Sequence, residues 1–262
     1  MAVAASTIER CAQALWRAEC ERRPVACLSA GEAGLDEADA YAIQARKLVL
    51  RASPAVGFKL GYTSAAMREQ MGIAHPNYGV LSADHRLPDD VPVVPAGQLI
   101  HPRVEPEIAL LVGRDLEGKG LDRAAVYRHV DAVMPALEIV DTRYPDYDFR
   151  ALDNIADNSS SARYVCGPPR ALHAVGDLRL LGVLLSSGGR VLEQGIGAAA
   201  LGDPLLALAW LAGALAARGQ RIEAGSVILT GGLTRAPRAL PGQGFSAEFA
   251  VLGTVGVHFD PA

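Results

Sequence analysis

Ile8, Cys11, Ala12, Leu15 and Trp16 recur three and four residues apart, which predicts one apolar stripe along a helix. Ser6, followed three residues later by Glu9, has the form of a capping box and sets the expected start of that helix. A second helical pattern covers residues 36–52, with Tyr41, Ala45 and Leu48 on one face. From about Val56 the texture changes to short apolar runs broken by Gly, Pro and Asp, the signature of strands and turns. Strands are expected over residues 56–61, 107–112, 178–185, 226–230, 245–252 and 255–259. A further helix is well punctuated: Asp203 at the cap, Pro204 at the first helical position, and Gly219 after Arg218 as the stop. The pattern predicts an α+β protein with a mixed or antiparallel β core rather than alternating βαβ units. Residues 1–55 read as an N-terminal helical annex and residues 56–262 as a β-rich catalytic domain, together one or two domains.

Composition narrows the function classes. Half of the 262 residues are hydrophobic, enough for a large core, and the formal net charge of −4 argues against a nucleic-acid partner. Cys11, Cys20, Cys27 and Cys166 form no C-x-x-C pair, so they read as thiols in a reducing compartment rather than metal ligands. Charged residues interrupt every apolar run before residue 25, which excludes a signal peptide there. The longest apolar run, residues 204–217, falls short of the roughly 20 residues that span a bilayer. A cytoplasmic protein without a membrane partner is expected.

Several candidate motifs fail on context. Gly195-Ile-Gly197 resembles the start of a dinucleotide fingerprint, but the next helix is capped later, at Asp203. There is no G-x-S-x-G, and the six scattered histidines include no His-Glu-x-x-His. The carboxylates are more informative. Glu105-Pro106-Glu107 leads into the apolar run 108–112, and in a strand residues i and i+2 share a face. Two buried anions on one face repel and are costly to desolvate unless something positive lies between them. A hard divalent cation with oxygen ligands meets that need. A third carboxylate, Glu138, sits between Leu137 and Ile139 in another apolar run. On spacing alone, the metal reading stands beside a pair of surface ion pairs. Lys59 lies inside the apolar segment Val56-Gly-Phe-Lys59-Leu-Gly61, either as a snorkelling edge lysine or as a cation facing the anionic site.

These segments, taken together, resemble one family. Gly57-Phe-Lys59-Leu-Gly61-Tyr-Thr-Ser64, Tyr78-Gly79, His101-Pro-Arg-Val-Glu105-Pro-Glu107-Ile-Ala, Leu137-Glu138-Ile-Val-Asp141 and Ile155-Ala-Asp157-Asn-Ser-Ser-Ser161 occur in order. So do Thr230-Gly-Gly-Leu-Thr234 and Phe245-Ser-Ala-Glu248-Phe. The chain thus resembles the 2-keto-4-pentenoate hydratase and 4-oxalocrotonate decarboxylase family of the fumarylacetoacetate hydrolase superfamily over nearly its whole length. The resemblance implies a mixed β-roll core with an N-terminal helical part, usually a homo-oligomer, with a companion hydratase or decarboxylase. It implies Mg²⁺ (or Mn²⁺) on Glu105, Glu107 and Glu138, with Lys59, Asp157, Ser160 and Ser161 as catalytic residues. Tyr78, Arg143, Arg163 and Thr234 are the expected substrate-binding residues. Ser159 stands where the family usually has Ala, and Tyr62 where it usually has Leu.

The implied substrate is a small 2-oxo or 2-hydroxydienoic acid from aromatic meta-cleavage catabolism. The segment Asp141-Thr-Arg143-Tyr144, with Tyr147 and Phe149, and Arg163 favour decarboxylation of 2-oxo-3-hexenedioate over hydration of 2-hydroxypenta-2,4-dienoate. An additional arginine, Arg143 or Arg163, would suit a dianion. A non-catalytic partner subunit is a third reading, disfavoured because the three glutamates and Lys59 are all present.

Overall fold

A computed structural model describes residues 3–32, 34–65, 68–69 and 73–261. The chain opens with helices α1 (Ala5–Glu21), α2 (Leu28–Gly31) and α3 (Glu37–Arg51). The expected capping box on α1 does not form. The chain turns helical before Ser6, Ala4 takes the cap position, and its carbonyl accepts from Thr7 and Ile8. Glu9 is drawn instead to Arg46 of α3 and to Gln13 one turn on. The box forms on α3, where the Asp36 carboxylate accepts from the Asp39 N–H and Asp39 reaches back. The face of α3 turned inward also differs from expectation: Ala45 is exposed, while Ala40, Tyr41, Ile43, Gln44 and Lys47 are buried. Two polar side chains on that face mean that the helix is docked by specific bonds as well as by area.

The strands form two sheets. The larger runs β2 (Asn77–Ser82), β1 (Ala55–Gly61), β10 (Val227–Leu229), β4 (Arg103–Val112), β5 (Val130–Val140) and β6 (Ser161–Cys166), with β7 (Arg170–Ala171) also on β5. The smaller runs β3 (Val93–Val94), β12 (Gly253–Phe259), β11 (Gly244–Phe249), β8 (Gly182–Ser187) and β9 (Arg190–Ile196). Strands β11 and β12 lie against β5, so the two sheets share a core. All pairings are antiparallel except β1 with β10 and β3 with β12. The run expected at 178–185 divides into a 3-10 turn, Leu178–Leu180, and β8.

Two prolines lie within the long central strands, where a missing N–H normally breaks a ladder. Both sit at gaps in the flanking strands. Strand β10 pairs only with Ala109–Leu111, so Pro106 is bordered by a loop whose Leu233 N–H donates to the Pro106 carbonyl at 3.0 Å. Pro135 lies between the β6 and β7 pairings, and its carbonyl accepts from Gly167 at 2.8 Å.

Register sorts the side chains. Val104, Ile108, Leu110 and Val112 of β4 point into the main core with Val133, Leu137 and Ile139 of β5. The opposite face carries a smaller apolar cluster that includes Ala109, Met134, Ala136 and Leu229. Lys59 pairs with Leu229, which pairs with Ala109, so Lys59 shares this second face. Glu107, Glu105 and Arg103 follow at two-residue steps on the same side.

The apolar helix α4 (Pro204–Ala216) is capped by Asp203, whose carboxylate accepts from the Leu205 N–H at 2.9 Å. With its preceding turn it forms a 20-residue stretch, 197–216, of mean hydropathy 1.6, longer than the 204–217 run read from sequence and long enough to cross a membrane. The added residues form a 3-10 turn, Gly197–Ala199, and the Asp203 cap, and eight of the thirteen helical residues are buried in the core. Core packing accounts for the helix's apolarity.

Candidate metal centre and active site

Glu105 and Glu138 are direct cross-strand partners, and Glu107 pairs with Ala136 one step along. One carboxylate oxygen from each glutamate lies within 4.8 Å of those of the other two. Glu107 and Glu138 are fully buried and Glu105 is half-buried at the mouth. Glu107 Oε2 accepts from the Gly231 N–H at 2.6 Å, but Glu107 Oε1 and both oxygens of Glu138 accept no hydrogen bond from the described residues. Like charges directly opposite on a ladder are destabilising, and buried carboxylate oxygens without donors are more so. Burial, with the neighbouring charges of Glu138 and Glu105 added, holds Glu107 well above the usual carboxylate range. Burial pushes Glu138 up to about 7 against the pull of Lys59, and raises Glu105 as well. Three converging oxygen donors with unspent lone pairs fit a hard divalent cation such as Mg²⁺.

Lys59 closes the inner side of the trio. Its Nζ lies 3.2 Å from Glu138 Oε2, an ion-pair contact rather than an aligned hydrogen bond, and donates to the Ser159 carbonyl at 3.0 Å. Burial lowers its pKa, but the charges of Glu138, Glu105 and Glu107 outweigh that, so the ammonium form is favoured. The loop Thr230–Thr234 is built around closeness. A Cβ on Gly231, at φ 108°, would meet Thr63 Oγ1 at 2.0 Å, and one on Gly232 would stand 3.0 Å from Glu105 Oε2. Glycines here let the backbone reach the carboxylates.

Above the trio opens a cavity of about 780 Å³, lined by Lys59, Glu105, Ser160 and Thr234 among the expected residues. Ser160 Oγ accepts from Asn154 Nδ2 at 3.0 Å. Glu107 and Glu138 lie beneath the lining, close to Glu105, and five further expected residues lie outside it. Tyr78 is stacked on Tyr41 with ring centres 4.6 Å apart, which packs α3 onto the sheet. Arg143 is 1 % exposed and commits its guanidinium to Asp157, which is itself fully buried. Ser161 is buried at the start of β6, and Arg163 turns to Gln98 and to the Ala162 carbonyl. The expectation that Arg143 or Arg163 meets the substrate is therefore replaced.

The cavity's own cations are Lys59, Arg103 and Arg235. Arg235 is paired with Glu193 at the exposed rim. The Arg103 guanidinium lies 4.2 Å over the Tyr147 ring, and it has no carboxylate partner among the described residues. Arg103 was visible in sequence only as part of a motif, although its position two residues before Glu105 already put it on the metal face. Tyr147, whose hydroxyl donates to the Val140 carbonyl at 2.9 Å, forms a wall with Phe149 and Tyr62. Asp141 accepts from the Ile100 and His101 N–H groups at 2.9 and 2.8 Å and ties down the entry to β4.

Residues 58–259 match the profile of the fumarylacetoacetate (FAA) hydrolase C-terminal family. The chain belongs to this family. It is 42% identical over 225 residues to a 4-oxalocrotonate decarboxylase of Pseudomonas putida, covering 85% of each chain. It is 37% identical over 259 residues to a 2-keto-4-pentenoate hydratase of Paraburkholderia xenovorans strain LB400, covering 96% of this chain and 94% of that one. Among solved structures it resembles the 4-oxalocrotonate decarboxylase of Pseudomonas putida G7 complexed with magnesium and adipate, with a TM-score of 0.94, 36% identity and 98% of both chains covered. The mixed helix-and-sheet architecture of this FAA hydrolase family member matches that of the magnesium-complexed decarboxylase structure.

Proposed function

We propose that this protein is a Mg²⁺-dependent (or Mn²⁺-dependent) carboxy-lyase that converts 2-oxo-3-hexenedioate to 2-hydroxypenta-2,4-dienoate and CO₂. The observation that carries this reading is the pairing of a three-carboxylate floor beside Lys59 with an arginine on the same sheet face, Arg103, that has no carboxylate partner among the described residues. The floor suits the 1-carboxylate and 2-oxo end of the substrate once a cation is held there, and the arginine suits a further anionic charge. Adipate, present in the similar solved structure, is a six-carbon dicarboxylate of the same chain length as this substrate.

The distal carboxylate of 2-oxo-3-hexenedioate is vinylogous to its 2-oxo group, so loss of CO₂ leaves an electron pair delocalised onto the oxo oxygen. Glu105, Glu107 and Glu138 would hold a divalent cation, which would supply Lewis acidity toward this charge. Lys59, held as an ammonium by the same carboxylates, presents a second positive donor from the inner side. Dianion plus one proton gives CO₂ and the enol monoanion, and that proton reaches the oxygen from solvent through Lys59. Ser160, oriented by Asn154, offers a hydroxyl to the substrate backbone. Tyr62, Tyr147 and Phe149 exclude water from the face where charge develops.

A second reading, hydration of 2-hydroxypenta-2,4-dienoate, is favoured by the fuller coverage of the hydratase relative and by the polar pair Asn154 and Ser160, which suits a bound water. Assays with each substrate separately, in Mg²⁺ and in EDTA, test both. Metal-dependent CO₂ release from the hexenedioate supports decarboxylation, hydration of the dienoate alone supports the second reading, and silence on both sinks them. A cytoplasmic location, self-assembly and a companion enzyme of the same pathway belong to this proposal, and size-exclusion chromatography checks the second.

A further inference from the structure

Lys47 of α3 and Asp157 are 110 residues apart, yet Nζ donates to Asp157 Oδ1 at 2.9 Å with both side chains buried. Asp157 is held from the other side by Arg143, whose Nε donates to Oδ1 at 2.5 Å and whose main-chain N–H donates to Oδ2 at 2.9 Å. Arg143 Nη2 also donates to the Asp157 carbonyl at 2.7 Å. Asp157 is therefore fixed through side chain and backbone together.

The next three residues, Asn158, Ser159 and Ser160, have φ of 57°, 51° and 58°. A left-handed run of three residues other than glycine is unfavourable for L-amino acids and persists only where its surroundings over-determine it. Bonds further along the loop share the task. Asn158 exchanges side-chain bonds with the Val80 backbone at 2.7 and 2.9 Å, and Asp141 N–H donates to the Ser160 carbonyl at 2.8 Å. The outcome of the run is functional in position: it aims the Ser159 carbonyl at Lys59 Nζ and sets the Ser160 hydroxyl in the cavity wall.

We propose that Lys47 is a positioning residue for Lys59: through Asp157, helix α3 holds the left-handed Asn158–Ser160 run that orients the lysine and Ser160. This rests on the reading of Lys59 given above. The helical segment before the sheet is then a working part of the active site, reaching it from behind.

The test uses the full chain. Lys47→Met should lower kcat about 100-fold, the scale of an ångström-level misplacement, with KM and Mg²⁺ affinity within threefold of the parent. Amide exchange at Ser160 should speed up about tenfold as the run loosens, while exchange in β4 and β5 stays unchanged. Lys47→Arg, which keeps the charge and a donor, should recover most of both effects. Unchanged kcat and exchange in a folded Lys47→Met, or loss of Mg²⁺ affinity in step with kcat, overturns the proposal. If Lys47→Met does not fold, the unsubstituted protein decides: across denaturant, Ser160 should exchange in step with the amides of α3. Exchange of Ser160 well before α3 overturns the clamp. The exchange arm needs no substrate, so it stands or falls separately from the decarboxylase reading.

Discussion

Glu105 and Glu138 face each other directly across the β4–β5 ladder, two acids where a sheet normally places an attractive pair. Their closeness to Glu107 makes the trio a cluster of like charges that a bound cation would relieve. Glu107→Gln removes one charge while keeping an acceptor for the Gly231 N–H. Its Mg²⁺ affinity should fall about 100-fold, while the metal-free protein should unfold at an equal or higher temperature than the parent, since a buried charge without partners costs stability. Calorimetric titration and thermal melts with and without Mg²⁺ check the two halves.

The pH dependence follows from the same group. A carboxylate whose folded pKa is raised binds more protons folded than unfolded, so stability falls as pH rises between the two values. Glu138 rises from 4.5 to about 7, and Glu107 lies well above its usual range. Buried His85 acts in the opposite sense: burial and the nearby arginines lower its pKa, so its contribution rises with pH, but only up to its unfolded value of 6.5. Buried Lys47, lowered to about 8, adds stability only at higher pH, so between pH 6.5 and about 7 the metal-free protein should lose stability. With saturating Mg²⁺ the slope should flatten or reverse, because loading displaces those protons. Thermal melts across that window, with and without metal, read both slopes.

Arg103 should matter to charge recognition more than Arg235. Arg103→Gln is expected to raise KM for the hexenedioate about 30-fold, as loss of a charge-assisted contact predicts, and Arg103→Lys should recover little because stacking on Tyr147 is lost. Arg235→Gln, at an exposed and already paired rim position, should change KM less than about threefold. Initial-rate kinetics on the three variants checks the order.

Gly232→Ala probes the close approach of the loop. A Cβ 3.0 Å from Glu105 Oε2 forces that carboxylate to move by a few tenths of an ångström. Mg²⁺ affinity should drop about tenfold, an effect in the range seen when groups that orient metal ligands are disturbed. Unchanged affinity would show that Glu105 has freedom to spare.

Much of this was legible in the chain. Helical spacing found α1 and α3, Asp203 and Pro204 fixed the start of α4, and the two-residue step from Glu105 to Glu107 put both acids on one face. Glu138 needed register, which spacing does not provide. The polar inner face of α3 was missed because Gln44 and Lys47 look solvent-facing until distant partners are in place, among them the Ile155 carbonyl and Asp157, 111 and 110 residues away. Arg143 misled for the same reason: its apparent availability for a dianion ends once Asp157 is seen beside it.

The face assignment of β4 and β5 has one more consequence. Shifting either strand by a single residue turns its side chains to the opposite side of the sheet. A slipped β4 would drive Glu105 and Glu107 into the main core and expel Ile108 and Leu110 from it. Only one alignment both satisfies the apolar layer and gathers three oxygens for a cation. A cation held by Glu105, Glu107 and Glu138 would therefore favour the native alignment over either neighbouring one, since only that pairing supplies all three oxygens.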